Sequence, residues 1–319
     1  MNVFNKTIAT LLPFIPKPIL WQFSKKYIAG ASMEAAISTT QSLNDARICA
    51  TLDVLGEDTI NREDAHKATQ LYHKLLDVIQ SSDVDSGVSL KPTQLGLRLD
   101  RQYCYGNIGS IVEKAESFGR FVRIDMEDHT CTTETLDIYY LLKKNHQNVG
   151  IVVQACLRRT LDDVRRLVSE KGNVRLCKGV YIEPEEIAYC DRQGVRDNFL
   201  LLLEELLKGG CYVGIATHDN YLVDGSYKII RKLGCKNSDY EFQMLLGVTQ
   251  NLRQSILDKG DRMRVYVPFG EEWRAYCIRR LKENPTVAGY VAKGVFTFRR
   301  SGPATRHQGR YNKPDSESD

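Results

Sequence analysis

The chain has 319 residues, 42% of them hydrophobic and 26% charged, which is enough to bury one large domain or two ordinary ones. A net charge of +4, with no basic run interleaved with aromatics, excludes nucleic acid as the expected partner. The cysteines at 49, 104, 131, 156, 177, 190, 211, 235 and 277 form no CxxC or CxxxC pair, and the histidines show no HExxH or HxH spacing. Neither a disulfide framework nor a metal site is therefore expected, and the thiols point to a reducing, cytoplasmic compartment.

The chain opens with MNVFNKTIATLLPFIPKPILWQFSKKYIAGASM, which carries Lys6, Lys17, Lys25 and Lys26 and no acid before Glu34. Pro13, Pro16 and Pro18 break its apolar stretch, so it fits neither a spanning helix nor a signal peptide. Two readings stand for it: packing against the domain, or shallow docking on the acidic inner face of the cytoplasmic membrane.

From residue 47 short apolar runs alternate with longer amphipathic ones. The predicted strands are 47–56, 87–96, 120–128, 149–157, 173–181, 211–219, 240–248 and 262–270. Their near-continuous apolar character fits strands covered on both faces, as in a parallel sheet. Of the helices between them, 62–82 puts Ala65, Ala68, Leu71, Leu75 and Val78 on one stripe. The helices over 132–147 and 160–172 each begin with Thr followed by acids, a predicted cap. The helix over 196–210 stops at Gly209 and Gly210.

Strand–helix units repeated in this way, with no Gly-rich phosphate loop after the first strand, predict an α/β protein. The expected architecture is a distorted (β/α)8 barrel of the TIM type, preceded by N-terminal helices. The expected divisions are 1–46 for the helical segment, 47–300 for the barrel and 301–319 for a polar, disordered tail.

In such barrels chemistry sits at the C-terminal ends of the strands. Polar residues fall at or near those ends here: Asp53 and Glu57, Lys91, Asp125 and Glu127, Gln154, Arg175 and Lys178. Thr217, His218, Asp219, Gln243 and Tyr266 continue the set. Each has a bland alternative. Lys91 and Asp125 could be a buried ion pair, His218 a satisfied core histidine, and Gln154 and Gln243 backbone partners. Arg175 is the hardest to dismiss, because a guanidinium in an apolar strand is costly unless paired. Beyond the last strand, WRAYCIRRLKENP spaces Tyr276, Arg279, Arg280 and Glu283 three and four apart on a helix. The arginine pair is either a solvated face or a clamp for a carboxylate.

VRLCKGVY, ATHDNY, YEFQMLLG, RVYVPFG and YCIRRLKENP, preceded by TLDVLGED, SLKPTQLG and RIDMED, resemble the FAD-dependent proline dehydrogenases over residues 45–300. The resemblance is to the single-activity bacterial type. It implies a distorted (β/α)8 barrel and oxidation of L-proline to Δ1-pyrroline-5-carboxylate by hydride transfer from C5 to the flavin N5. The barrel's eighth helix, the one after the last strand, would carry Arg279 and Arg280 as the carboxylate grip. Lys91 would complete the cage, Glu57 would gate it by pairing with Arg279, and Tyr266 and Leu245 would wall the substrate ring. Asp125 and Arg175 match the catalytic pair, with Asp125 holding Lys91. Met126, Gln154, Arg175, Lys178, Gly179, Val180, Thr217, His218 and Gln243 match FAD-contact positions. The resemblance further implies a quinone electron acceptor and admits contact with a separate pyrroline-5-carboxylate dehydrogenase. The chain departs from the family's commonest pattern at Cys177, Val180 and Asp219, where Val, Ala and Asn are usual.

A barrel that binds proline or FAD without catalysis, and an aldolase or isomerase using Lys91 or Lys178 as a Schiff base, are the rival expectations.

Overall fold

The structure is a computed structural model and describes Trp21, residues 25–274 and Tyr276. All of these but Trp21 belong to one compact unit, Ser24–Tyr276. Most of the basic N-terminal stretch, Arg279, Arg280, Glu283 and the polar tail lie outside the described residues.

Helix α1 (Met33–Asp45) precedes the first strand. There follow β1 (Cys49–Val54), α2 (Arg62–Ser81), β2 (Ser86–Leu90), α3 (Arg101–Ser117) and β3 (Val122–Ile124). A 3-10 turn, His129–Cys131, leads into α4 (Thr132–Lys143), then β4 (Val149–Gln154), α5 (Thr160–Ser169) and β5 (Asn173–Cys177). The second half is α6 (Arg192–Lys208), β6 (Tyr212–Ala216), α7 (Asn220–Leu233), β7 (Tyr240–Leu245), α8 (Gln250–Leu257) and β8 (Met263–Phe269). Each strand pairs in parallel with the next, and β8 pairs with β1 from Cys49↔Arg264 to Val54↔Phe269, closing an eight-stranded barrel. Every predicted strand is present.

Apolar side chains such as Leu52, Val88, Ile124, Ile151 and Ile215 are fully buried and build the core between strands and helices. Barrel strands alternate their side chains, so the residues between these point to the barrel interior.

Two helix predictions need correction. The stripe on α2 is rotated: Tyr72, Leu75, Leu76 and Ile79 are buried with Ala65 and Ala68, whereas Leu71 is exposed and Val78 only half-buried. The apolar arc of this helix is wide, and composition does not say which of its edges faces the barrel. The expected threonine caps are absent. Thr160 donates its hydroxyl to the Gln154 carbonyl at 2.6 Å, and α4 continues from the 3-10 turn, so Thr132 lies inside helical backbone. Side-chain caps come instead from Ser32, Asn61, Asp100, Asp191 and Asp219.

The chain before α1 is strapped to the end of β8. The Ala29 amide donates to the Pro268 carbonyl and the Gly270 amide to the Gly30 carbonyl, each at 3.0 Å. Lys26 passes so close to Gly247 that a Cβ there would lie 1.9 Å from the Lys26 carbonyl oxygen, and Gly247 also has φ of 73°. Among the described residues no helix is long and apolar enough to cross a membrane.

Candidate active site

Arg175, midway along β5, is 7% exposed. Its Nη1 donates to Asp125 Oδ1 at 2.8 Å and to Ser89 Oγ at 3.3 Å, and its Nε donates to Gln243 Oε1 at 2.6 Å. Asp125, the residue after β3, also accepts from Ser89 Oγ at 2.7 Å and from the Tyr266 hydroxyl at 2.9 Å. The guanidinium carbon stands 5.3 Å from the centre of the Tyr266 ring. Side chains from β2, β5, β7 and β8 thus lock one another around one carboxylate. A buried guanidinium is tolerable only in such company, since it does not shed its proton. Burial, then the carboxylates of Asp125 and Asp53, push the Tyr266 phenol well above its ordinary value, so it donates to Asp125.

Lys91, just past β2, gives its ammonium to Asp53 Oδ1 at 2.6 Å, not to Asp125 as expected. The register explains the exchange. Asp53 lies opposite Ser89, two residues before Lys91, so the long lysine side chain meets Asp53, while Arg175 crosses the barrel to claim Asp125. Burial pulls the Lys91 ammonium down, but the charges of Asp53 and Asp125 outweigh it and hold Lys91 above its ordinary value. Burial likewise pushes the Asp53 carboxyl up, against the pull of Lys91.

Glu127 holds the rim in another way. It accepts from the Thr93 amide at 2.9 Å and from Thr93 Oγ1 at 2.5 Å. Burial pushes its carboxyl up to about 7 despite these bonds. Thr93 in turn accepts the Asp58 amide at 3.0 Å on its hydroxyl and the Thr59 amide at 3.2 Å on its carbonyl. The loop after β1 is fastened there, with exposed Glu57 next to the fastening.

The remaining predicted positions lie along the C-terminal ends of β3 to β7. Met126 is buried beside Asp125. Gln154 donates to the Glu127 carbonyl at 2.8 Å, which leaves its Oε1 toward Gly179. Gly179 has φ of 99°, and a Cβ there would meet Cys156 Sγ at 2.3 Å and Gln154 Oε1 at 3.3 Å. Val180 is exposed. His218 Nε2 accepts the Leu245 amide at 2.9 Å, so the neutral ring carries its proton on Nδ1. Thr217 Oγ1 accepts the Asp219 amide at 3.2 Å. Asp219 is gripped by both forks of Arg196, at 2.7 and 2.9 Å, with Lys178 and Arg192 each at 3.7 Å. That rim therefore carries more positive than negative charge. Arg279 and Arg280 lie outside the described residues.

Sequence reasoning named Asp53 and Glu127 at the rim without giving them a task, and it missed Ser89. The signal for Ser89 was available: it stands two residues before Lys91, on the same face of a strand of period two.

Comparison with known proteins bears on the family and the fold. The proline dehydrogenase family model matches residues 36–293. Proline dehydrogenase 1 of Bacillus subtilis (strain 168) is 34% identical over 272 residues, covering 85% of this chain and 90% of that protein. Proline dehydrogenase 2 of the same strain is 36% identical over 270 residues, covering 85% and 89%. The proline dehydrogenase of Deinococcus radiodurans is 33% identical over 281 residues, covering 86% and 91%. Among solved structures, proline utilization A from Bdellovibrio bacteriovorus inactivated by N-propargylglycine superposes with a TM-score of 0.78 at 25% identity. That match covers 86% of this chain, which spans only 34% of the longer one. The chain therefore belongs to the proline dehydrogenase family, the flavin-dependent enzymes that oxidise proline in proline catabolism.

Proposed function

We propose that the chain oxidises L-proline to Δ1-pyrroline-5-carboxylate with FAD as its cofactor, at the C-terminal mouth of the barrel. The observation that carries the reading is the locked group of Arg175, Asp125 and Tyr266, bonded at 2.8 and 2.9 Å within the barrel.

The residues present fit FAD. Gly179 keeps the backbone after β5 free of a side chain that would strike Cys156. Gln154 Oε1 offers an acceptor, and Lys178, Arg192 and Arg196 around the single Asp219 carboxylate suit a diphosphate. Met126, Thr217, His218 and Gln243 complete the proposed holding set, and Val180 borders it. When bound, FAD supplies the hydride acceptor, its N5, to which C5 of proline would deliver.

The chain's own task is orientation. Proline offers one carboxylate and a featureless ring, so it must be gripped at one end and walled at the other. Tyr266 is fixed by its bond to Asp125 and presents its ring as the wall, with Leu245 beside it. Lys91 and Arg175, the cations grouped with Tyr266, are already met by carboxylates, Lys91 by Asp53 and Arg175 by Asp125. A bound carboxylate therefore calls for further positive charge, the role proposed for Arg279 and Arg280. Glu57 is the proposed gate partner of Arg279, excluding water on closure. Arg175 is the proposed cation beside the flavin. Lys91, held above its ordinary value, is an ammonium and a poor Schiff-base nucleophile, which disfavours the aldolase alternative.

Purified protein should be yellow and lose its visible absorbance on anaerobic addition of proline. A colourless protein, or a flavin that proline leaves unchanged, would refute the reading. Arg280→Met should weaken proline affinity by about 2 kcal/mol or more, since a desolvated carboxylate loses a charged partner. Arg175→Met should lower the potential of the bound flavin.

A quinone is the proposed electron acceptor, and a separate pyrroline-5-carboxylate dehydrogenase the proposed consumer of product. Docking of the basic N-terminal stretch on anionic membrane would bring the site to the quinone. Cosedimentation with anionic vesicles that persists after removal of residues 1–24 together with Lys25→Gln and Lys26→Gln would dismiss that docking.

A further inference from the structure

Below the site lies a buried carboxylate for which the proposed reaction has no use. Glu241, second residue of β7, is 2% exposed. It accepts from Arg264 Nε at 2.7 Å and pairs with Arg262 at 3.3 Å. It also accepts from Gln243 Nε2 at 2.6 Å, and the other end of that amide, Oε1, accepts Arg175 Nε at 2.6 Å. One continuous chain of hydrogen bonds therefore runs from Arg264 through Glu241 and Gln243 to Arg175, then to Asp125 and the Tyr266 hydroxyl.

The chemistry of this chain is directional. A glutamine amide has a donor end and an acceptor end that exchange on a flip of nearly unchanged shape. Here each end faces a group with only one capability. An ionised carboxylate can only accept, and a guanidinium can only donate. Burial pushes the Glu241 carboxyl up, but the charge and bonds of Arg264, with Gln243 and Arg262, outweigh it and hold Glu241 ionised. The reverse orientation would aim an NH2 at a guanidinium and a carbonyl at a carboxylate. Gly214 on β6 supplies the space: a Cβ there would lie 2.4 Å from Gln243 Nε2.

We infer that Glu241 is a positioning residue for Arg175: it fixes the orientation of the Gln243 amide, and the amide fixes the guanidinium against Asp125 and Tyr266. The inference rests on the proposal that Arg175 faces a bound flavin. A purely structural Glu241–Arg264 pair would affect stability alone.

Glu241→Gln keeps the shape and removes the acceptor-only group, which frees the Gln243 amide to turn. The first readout needs no cofactor. The Arg175 Nε–H signal of 15N-arginine-labelled protein should exchange with solvent about tenfold faster, the scale of one hydrogen bond to a charged group. In the flavin-loaded protein the flavin potential should move, and kcat for proline should fall about tenfold while KM changes by less than about twofold. Gly214→Ala displaces the same amide without altering a charge and should reproduce this signature. Glu241→Gln added to Gln243→Leu should change the potential no further.

A variant that only melts earlier, with Nε–H exchange and potential as in the wild type, overturns the inference. Should Glu241→Gln fail to fold, Gly214→Ala decides alone, and unchanged exchange there has the same force. A wild-type protein whose flavin proline does not bleach removes the functional reading and this inference together. A bleached wild type with an inert Glu241→Gln removes only the inference.

Discussion

At the floor of the barrel Arg123 donates to main-chain oxygens, Ile151 O at 3.0 Å and Asn173 O at 2.7 Å, and to Asn173 Oδ1 at 2.5 Å. At the mouth Arg175 donates only to side chains, from Asp125, Ser89 and Gln243. Both arginines are buried on the inner face of strands. A main-chain acceptor cannot move unless its strand moves, so the Arg123 bonds belong to the scaffold. A carboxylate, hydroxyl or amide at the end of a side chain can re-aim, so a ligand can enter the Arg175 network by exchanging partners. Polarity inside a barrel is therefore not by itself a mark of function. What distinguishes Arg175 from Arg123 is that its guanidinium is satisfied wholly by movable groups.

The largest expected effect falls on the centre of the mouth. Asp125→Ala leaves Arg175 buried without its carboxylate and should cost about 3–5 kcal/mol of stability in urea unfolding, together with proline turnover. Arg123→Met should cost about 1–3 kcal/mol, because main-chain carbonyls lose a donor, yet leave the kcat/KM for proline within about twofold. Should Arg123→Met damage turnover as severely as Asp125→Ala, the separation of scaffold from site fails.

A third effect concerns pH. Glu127 has a folded value of about 7 against an ordinary 4.5. Between those values the folded chain holds a proton that the unfolded chain has released. The group's contribution is therefore complete below the lower value and is lost as pH rises through the upper one. The slope reaches at most about 1.4 kcal/mol per pH unit. Glu127→Gln should remove that slope; a stability difference between the two proteins that stays flat across the window would count against the assignment.

The sheet was legible because strands covered on both faces are written as near-continuous apolar runs, and polar residues near the C-terminal ends of those runs marked the mouth. Helix ends were less so. Thr132 and Thr160 look like caps in one dimension, but the preceding 3-10 turn and the Gln154 carbonyl give them other surroundings. At the site, the residue types were legible and the partnerships were not. Whether Lys91 meets Asp53 or Asp125 depends on strand register and on which cation reaches farther across the barrel, and neither is encoded locally. The floor charges Arg123, Glu241 and Arg264, each the second residue of its strand, escaped notice because only the C-terminal ends of strands were expected to carry chemistry.

The strap formed by Ala29 and Gly30 on the end of β8 bears on how the protein can be shortened. A truncation that starts at the first barrel-packing helix would strip a carbonyl from Gly270 and leave the Pro268 oxygen without its amide. Such a trimmed enzyme would then be impaired for reasons unrelated to lipid. Cutting ahead of Lys25 keeps the two ends stitched and lets the lost segment be judged on its own.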